Sequence, residues 1–109
     1  MPKGFLGEFE QMVLLAILQQ GDHAFGLEVR REIERSADRS VSRSAFYTTL
    51  DRLERKGLVE WREGNPEDPY RKTPVRLFRV TEAGKEALLQ SRRALWTLWR
   101  GLDHMVEER

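Results

Sequence analysis

From Thr81 to Glu107 the chain carries an apolar seam that nothing else in it is free to cover. Leu88, Leu95, Trp99, Leu102 and Val106 recur at intervals of three, four or seven residues, with Trp96, Leu98 and Met105 beside them. That spacing gathers side chains on one face of an α-helix. Thr81 is a good N-cap, and the pattern predicts a helix running from there to about Glu107, roughly 35–40 Å long. Two tryptophans and four aliphatics (Leu88, Leu95, Leu102, Val106) left in water would invite aggregation. A second copy is the economical cover, and two-fold pairing is the commonest symmetry. The expectation is a homodimer.

The first segment points the same way. Phe9, Val13, Ala16 and Ile17 follow helical spacing within a helix predicted over about Phe5 to Gln20, but "MVLLAIL" is apolar on all sides. Such a helix needs cover on more than one face. Part of it is expected from the partner, through Val13, Leu14 and Leu18, which join Leu88, Leu95, Trp99, Leu102 and Val106 in the predicted interface.

Between these helices lies the chemistry. Phe25, Val29, Ile33 and Ala37 stripe a second helix, and Ser42 caps a third, "SRSAFYTTLDRLERKG", which Gly57 closes. On the third helix Phe46, Leu50 and Leu53 face the body. Ser44, Tyr47, Thr48, Asp51 and Arg55 face away, a mixture that asks for a partner rather than merely for water. Leu58 to Glu63 and Val75 to Val80 alternate as strands of a hairpin, with Phe78 and Val80 turned inward. The segment "GNPEDPYRKTP" between them is too rich in proline and glycine for a helix.

Near-neutral overall charge conceals a gradient. Residues 1–38 are acidic by three charges, whereas residues 39–56 hold five cations (Arg39, Arg43, Arg52, Arg55, Lys56) against Asp51 and Glu54. A helix, a short loop, a helix and a hairpin with basic residues at its tip form a helix-turn-helix followed by a wing, which sets its second helix in the major groove of DNA. The expected contacts are Arg39, Ser42, Arg43, Ser44, Tyr47, Thr48 and Arg55, with Arg71 and Lys72 from the wing. Hydroxyls and arginines supply hydrogen bonds to phosphates and base edges alike. Asp51 argues back: a carboxylate on that face repels phosphate unless it reads a cytosine amino group, pairs with Arg55, or stays clear because the helix enters the groove by its first two turns only. The last of these is the reading favoured here.

Enzyme chemistry finds no support. Cysteine is absent, and His23 and His104 lack metal-ligand spacing. There is no nucleophile elbow or phosphate-binding glycine loop. No cofactor and no metal are expected. Acidic residues precede the first apolar run, unlike a signal peptide, and that run is too short to span a membrane. A cytoplasmic protein is expected.

The order and spacing of these motifs are also familiar. "SRSAFYTTLDRLERKGLVE" and "LFRVTEAGKEAL", with "AFGLEVRREIE" upstream, resemble the PadR family of bacterial winged-helix transcriptional regulators. In that pattern Ser42, Phe46, Tyr47, Leu50, Leu53 and Gly57 occupy the recognition-helix positions. Phe78, Arg79, Val80, Thr81, Glu82 and Gly84 occupy the strand-to-helix junction, and Gly26 its place in the second helix. The resemblance implies a homodimer joined through its first and last helices, binding a pseudo-palindromic operator in double-stranded DNA and usually repressing. It also implies the short class, with a single C-terminal helix. Some short members bind planar aromatic molecules between tryptophans, which here points to Trp96 and Trp99. The chain departs from the pattern at Thr48, where the family often has proline, and in its acidic wing.

The fold class is therefore mainly α with a small two-stranded antiparallel β wing: a winged helix-turn-helix over residues 1–80 and a long C-terminal dimerisation helix over residues 81–109. The competing reading is a winged-helix protein–protein interaction module without DNA binding; the local excess of positive charge counts against it.

Overall fold

The computed structural model describes residues 5–64 and 75–107. Three helices form the body: α1 (Glu8–Gln20), α2 (Gly26–Ala37) and α3 (Arg43–Arg55). Strands β1 (Val59–Gly64) and β2 (Val75–Val80) form the wing, and α4 (Glu82–Trp99) and α5 (Asp103–Glu107) complete the chain. The two strands pair antiparallel with Val59 opposite Val80 and Gly64 opposite Val75. The predicted second strand matches in full.

Residues named from the sequence set both ends of α3 and the start of α4. Ser42 Oγ accepts from the Ala45 N–H at 3.0 Å. After α3, Gly57 takes φ +77°, its N–H donates to the Glu54 carbonyl, and the Leu58 N–H donates to the Leu53 carbonyl. This paired closure returns two orphan carbonyls to hydrogen bonding. The loop between α2 and α3 is fastened by Glu34, whose carboxylate accepts from the Val41 N–H at 2.9 Å.

Phe46, Leu50 and Leu53 of α3 pack with Val13 and Leu14 of α1 and Val29 of α2, and these six are the largest fully buried side chains. Phe78 and Val80 close the core from the wing side. The wing root is held twice. The Phe78 N–H donates to the Ala24 carbonyl at 3.0 Å, and Phe25 forms a bridge with Leu77.

Two expectations need correction. Val13 and Leu14 are wholly buried in the protomer's own core and offer no surface to a partner. The exposed apolar side of α1 is Leu15 together with Leu18, the one of the three expected contacts that does face outward. An all-apolar segment has no stripe, so its sequence cannot say which side faces inward. The C-terminal helix also does not run unbroken to Glu107. It stops at Trp99, the chain turns through Arg100 (ψ 124°) and Gly101 (φ +76°), and α5 follows as a separate short helix. Glycine enters that left-handed region without a Cβ clash.

The junction between wing and α4 is tight. Thr81 Oγ1 accepts from the Gly84 N–H at 3.1 Å and donates to the Gly57 carbonyl at 2.7 Å. A Cβ on Gly84 would lie 2.3 Å from the Leu58 carbonyl oxygen, which is backbone and cannot swing aside. Gly84→Ala is therefore expected to destabilise the fold by about 2 kcal/mol, as overpacking does elsewhere. Denaturant unfolding checks this, and an unchanged midpoint would contradict the close approach.

Candidate nucleic-acid interface

With Phe46, Leu50 and Leu53 buried, the opposite side of α3 is fixed by helical geometry. Ser44, Thr48, Asp51 and Arg55 stand at i, i+4, i+7 and i+11 and form one outward ridge, all four exposed. Tyr47 lies on the flank of that ridge and is half-buried. Its ring meets Phe46 edge-on at 5.1 Å, and its hydroxyl occupies the space over Gly26, where a Cβ would come within 2.4 Å. Tyr47 thus fastens α3 to the start of α2 as well as bordering the exposed ridge. The Arg43 guanidinium sits 5.7 Å from the centre of the Tyr47 ring.

The other expected contacts divide. Ser42 is exposed and engaged as the cap of α3. Arg39 turns toward α1, pairing with Glu8 at 3.5 Å and stacking over Phe9 at 5.6 Å. Arg55 is exposed and forms no ion pair among the described residues, so it does not neutralise Asp51. Arg71 and Lys72 lie outside the described residues.

Asp51 borders a groove of about 1000 Å³ between α2, α3 and β2, together with Arg30, Arg43 and Arg76. Two of these arginines, Arg30 and Arg76, were not among the expected contacts. The only sequence signal for Arg76 was its position two residues before the inward-facing Phe78. Arg30 carries no such signal, being one of several charges along α2. On the wing, Trp61 donates its indole N–H to Glu54 at 3.2 Å, and Arg76 lies 5.0 Å over its ring.

Comparison with known proteins gives this arrangement its place. The profile of the transcriptional regulator PadR-like family matches residues 14–90, well over half of the chain. The chain belongs to the PadR-like family. A PadR-like transcriptional regulator from Bacillus cereus has a similar structure, with a TM-score of 0.74 at 17% identity over 93% of each chain. So does a PadR-like transcription factor from Bacteroides fragilis, at 0.70 and 18% over 89% of this chain and 88% of that one. RosR of H. salinarum gives 0.68 at 23% over 88% and 79%. At these identities the likeness shows the fold. Comparison with curated proteins gives no match. The family assigns this PadR-like chain to transcription regulation on a winged-helix DNA-binding fold; its members are regulators rather than enzymes. Among the described residues no helix is long and apolar enough to cross a membrane.

One node in this PadR-like fold was missed altogether. Glu10 of α1 is 7% exposed. Its Oε1 accepts from the Gly7 N–H at 2.9 Å, and its Oε2 accepts from Arg52 Nε at 3.1 Å and Lys56 Nζ at 2.8 Å. With Arg39 on Glu8, three of the five cations counted in residues 39–56 are therefore engaged by α1, two of them, Arg52 and Lys56, by Glu10. These two tie the far end of the recognition helix to the body rather than facing a ligand. Sequence could show the local half, a glutamate three residues after an N-cap, but not partners more than forty residues away.

Burial pushes the Glu10 carboxyl up, and the hydrogen bonds from Lys56, the Gly7 N–H and Arg52 more than reverse this, holding it below its ordinary 4.5. A carboxyl with a depressed folded pKa stabilises the fold above its unfolded value and loses that contribution as pH falls through the folded value. Glu10→Gln should lower the melting temperature at neutral pH by about 5 °C, the shift that about 1 kcal/mol gives a domain of this size. The gap between wild type and variant should narrow as pH falls below 4.5. A gap that does not change with pH would contradict the node.

Proposed function

We propose that this chain is a homodimeric, sequence-specific DNA-binding regulator that represses transcription and is released by a planar aromatic ligand. The observation that carries the DNA reading is the exposed ridge of Ser44, Thr48, Asp51 and Arg55, opposite a wholly buried apolar face. Hydroxyls and a guanidinium at that spacing suit base edges and phosphates. Asp51 accepts a cytosine amino group, or lies beside the duplex if the helix enters by its first two turns. Ser42 and Arg43 at the helix start, together with the wing residues Arg71 and Lys72, supply backbone contacts, whereas Arg39 is held by Glu8.

Dimerisation is supported by what α4 and α5 leave in water. Leu95 is 50% exposed, Trp96 71%, Leu98 71% and Met105 64%, while Leu15 and Leu18 of α1 face the same groove as Leu95 and Trp96. That apolar extent suits a second copy related by a two-fold axis, with Leu18, Leu88, Leu95, Trp99, Leu102 and Val106 in the interface. Trp96 and Trp99 lie one helical turn apart on its edge, and paired indoles favour flat or cationic ligands.

Two expectations follow. Arg55→Ala, still folded, should bind the promoter of its own gene about tenfold more weakly, the loss of one good base or phosphate contact, and wild-type binding should fall steeply with salt. A folded Arg55→Ala protein binding as tightly as wild type would sink the assignment of that ridge. Leu95→Glu, at a half-exposed site, should leave the fold intact and sediment as a monomer, with any quenching of indole fluorescence by planar aromatic compounds lost with the dimer. A Leu95→Glu protein that remains dimeric would refute the seam.

A further inference from the structure

Three guanidinium groups from three separate elements line a single groove: Arg30 from α2, Arg43 from the first turn of α3 and Arg76 from β2. Asp51 is the one carboxylate on the lining among the described residues, so the groove is positive by two charges. Like charges gathered on a concave surface repel one another and focus the field outward. Aromatic rings hold two of them in place: Arg43 lies 5.7 Å from the Tyr47 ring centre and Arg76 5.0 Å from that of Trp61. A stacked guanidinium uses its flat face and keeps its N–H edge for another partner. The Arg30 Nε is buried and donates to no acceptor among the described residues. None of the three takes part in an ion pair among those residues.

Three guanidinium groups on one lining, none of them ion-paired among the described residues, suit a multivalent oxygen anion. The groove opens beside the ridge of α3, between the start of α2 and the root of the wing. A helix seated in the major groove has a sugar–phosphate strand running along each flank, so a strand passes this opening. We propose that Arg30, Arg43 and Arg76 clamp one phosphodiester of the bound duplex, making the root of the wing a principal backbone contact. This rests on the DNA-binding reading above and adds to it a phosphate site, with Arg30 and Arg76 as its outer walls. Tyr47 and Trp61 are the positioning residues that keep two of its guanidinium groups aimed.

Backbone contacts are indifferent to sequence, so a duplex of about 30 base pairs of mixed sequence serves as the probe, with anisotropy followed between about 50 and 200 mM salt. Arg30→Gln/Arg76→Gln should bind about tenfold more weakly and reduce the slope of log K against log salt by about 0.9, one phosphate's worth. Arg76→Gln alone, at an exposed strand position, should move both quantities in the same direction and carries the test should the Arg30 change unfold the chain. Arg93→Gln, which removes a charge from α4 outside the groove, should leave both unchanged. Groove variants that remain folded yet keep wild-type affinity and slope would overturn the phosphate clamp while leaving the DNA reading standing. Wild-type protein with no affinity for the duplex even at the lowest salt would overturn both.

Discussion

Phe46, Leu50 and Leu53 are pressed so fully into the space between α1, α2 and the wing that α3 can turn only one way. Burying three large apolar side chains on a single turn-spaced stripe removes rotation about the helix axis as a freedom. Everything outward then follows: Ser44, Thr48, Asp51 and Arg55 are presented because their opposites cannot be. Glu10 fixes the far end of the same helix by holding Arg52 and Lys56, and Tyr47 over Gly26 fixes the near end. An outward face anchored at both ends and along its back is preorganised for a rigid partner, which is what the proposed DNA duplex would be.

The same anchoring redistributes charge. Five cations near α3 suggested a broadly basic surface, yet Arg39, Arg52 and Lys56 pair with glutamates of α1. What remains outward is narrower: Arg55 on the ridge, and the groove that Arg30, Arg43 and Arg76 line with Asp51. Asp51, discordant when α3 is read alone, borders a groove that three arginines line. Its carboxylate is one negative charge among three positive ones rather than an isolated repulsion.

Local signals in the sequence carried most of the architecture. Ser42 and Thr81 as caps, Gly57 as a helix stop, and the inward Phe78 and Val80 depend on neighbours within a few residues, and all are as read. What escaped depends on distance or on missing contrast. Val13 and Leu14 sit in a segment apolar all round, where no periodicity tells core from interface. Glu10 and its partners are joined only by folding, and so are Tyr47 and Gly26. The break falls at Gly101, a glycine inside the helical pattern, and the apolar seam runs on past it. On the interface itself, the ridge could be read from one helix, whereas the arginine groove needs three elements brought together.

A hydroxyl-radical footprint of the protein on its own promoter tests the central claim most directly, that a two-fold pair of these chains presents two copies of α3 to DNA. Protection should fall in two patches related by approximate two-fold symmetry, their centres one helical turn or a whole number of turns apart, about 10 base pairs or a multiple. A single protected patch, or no protection at concentrations where the protein is folded, would contradict it.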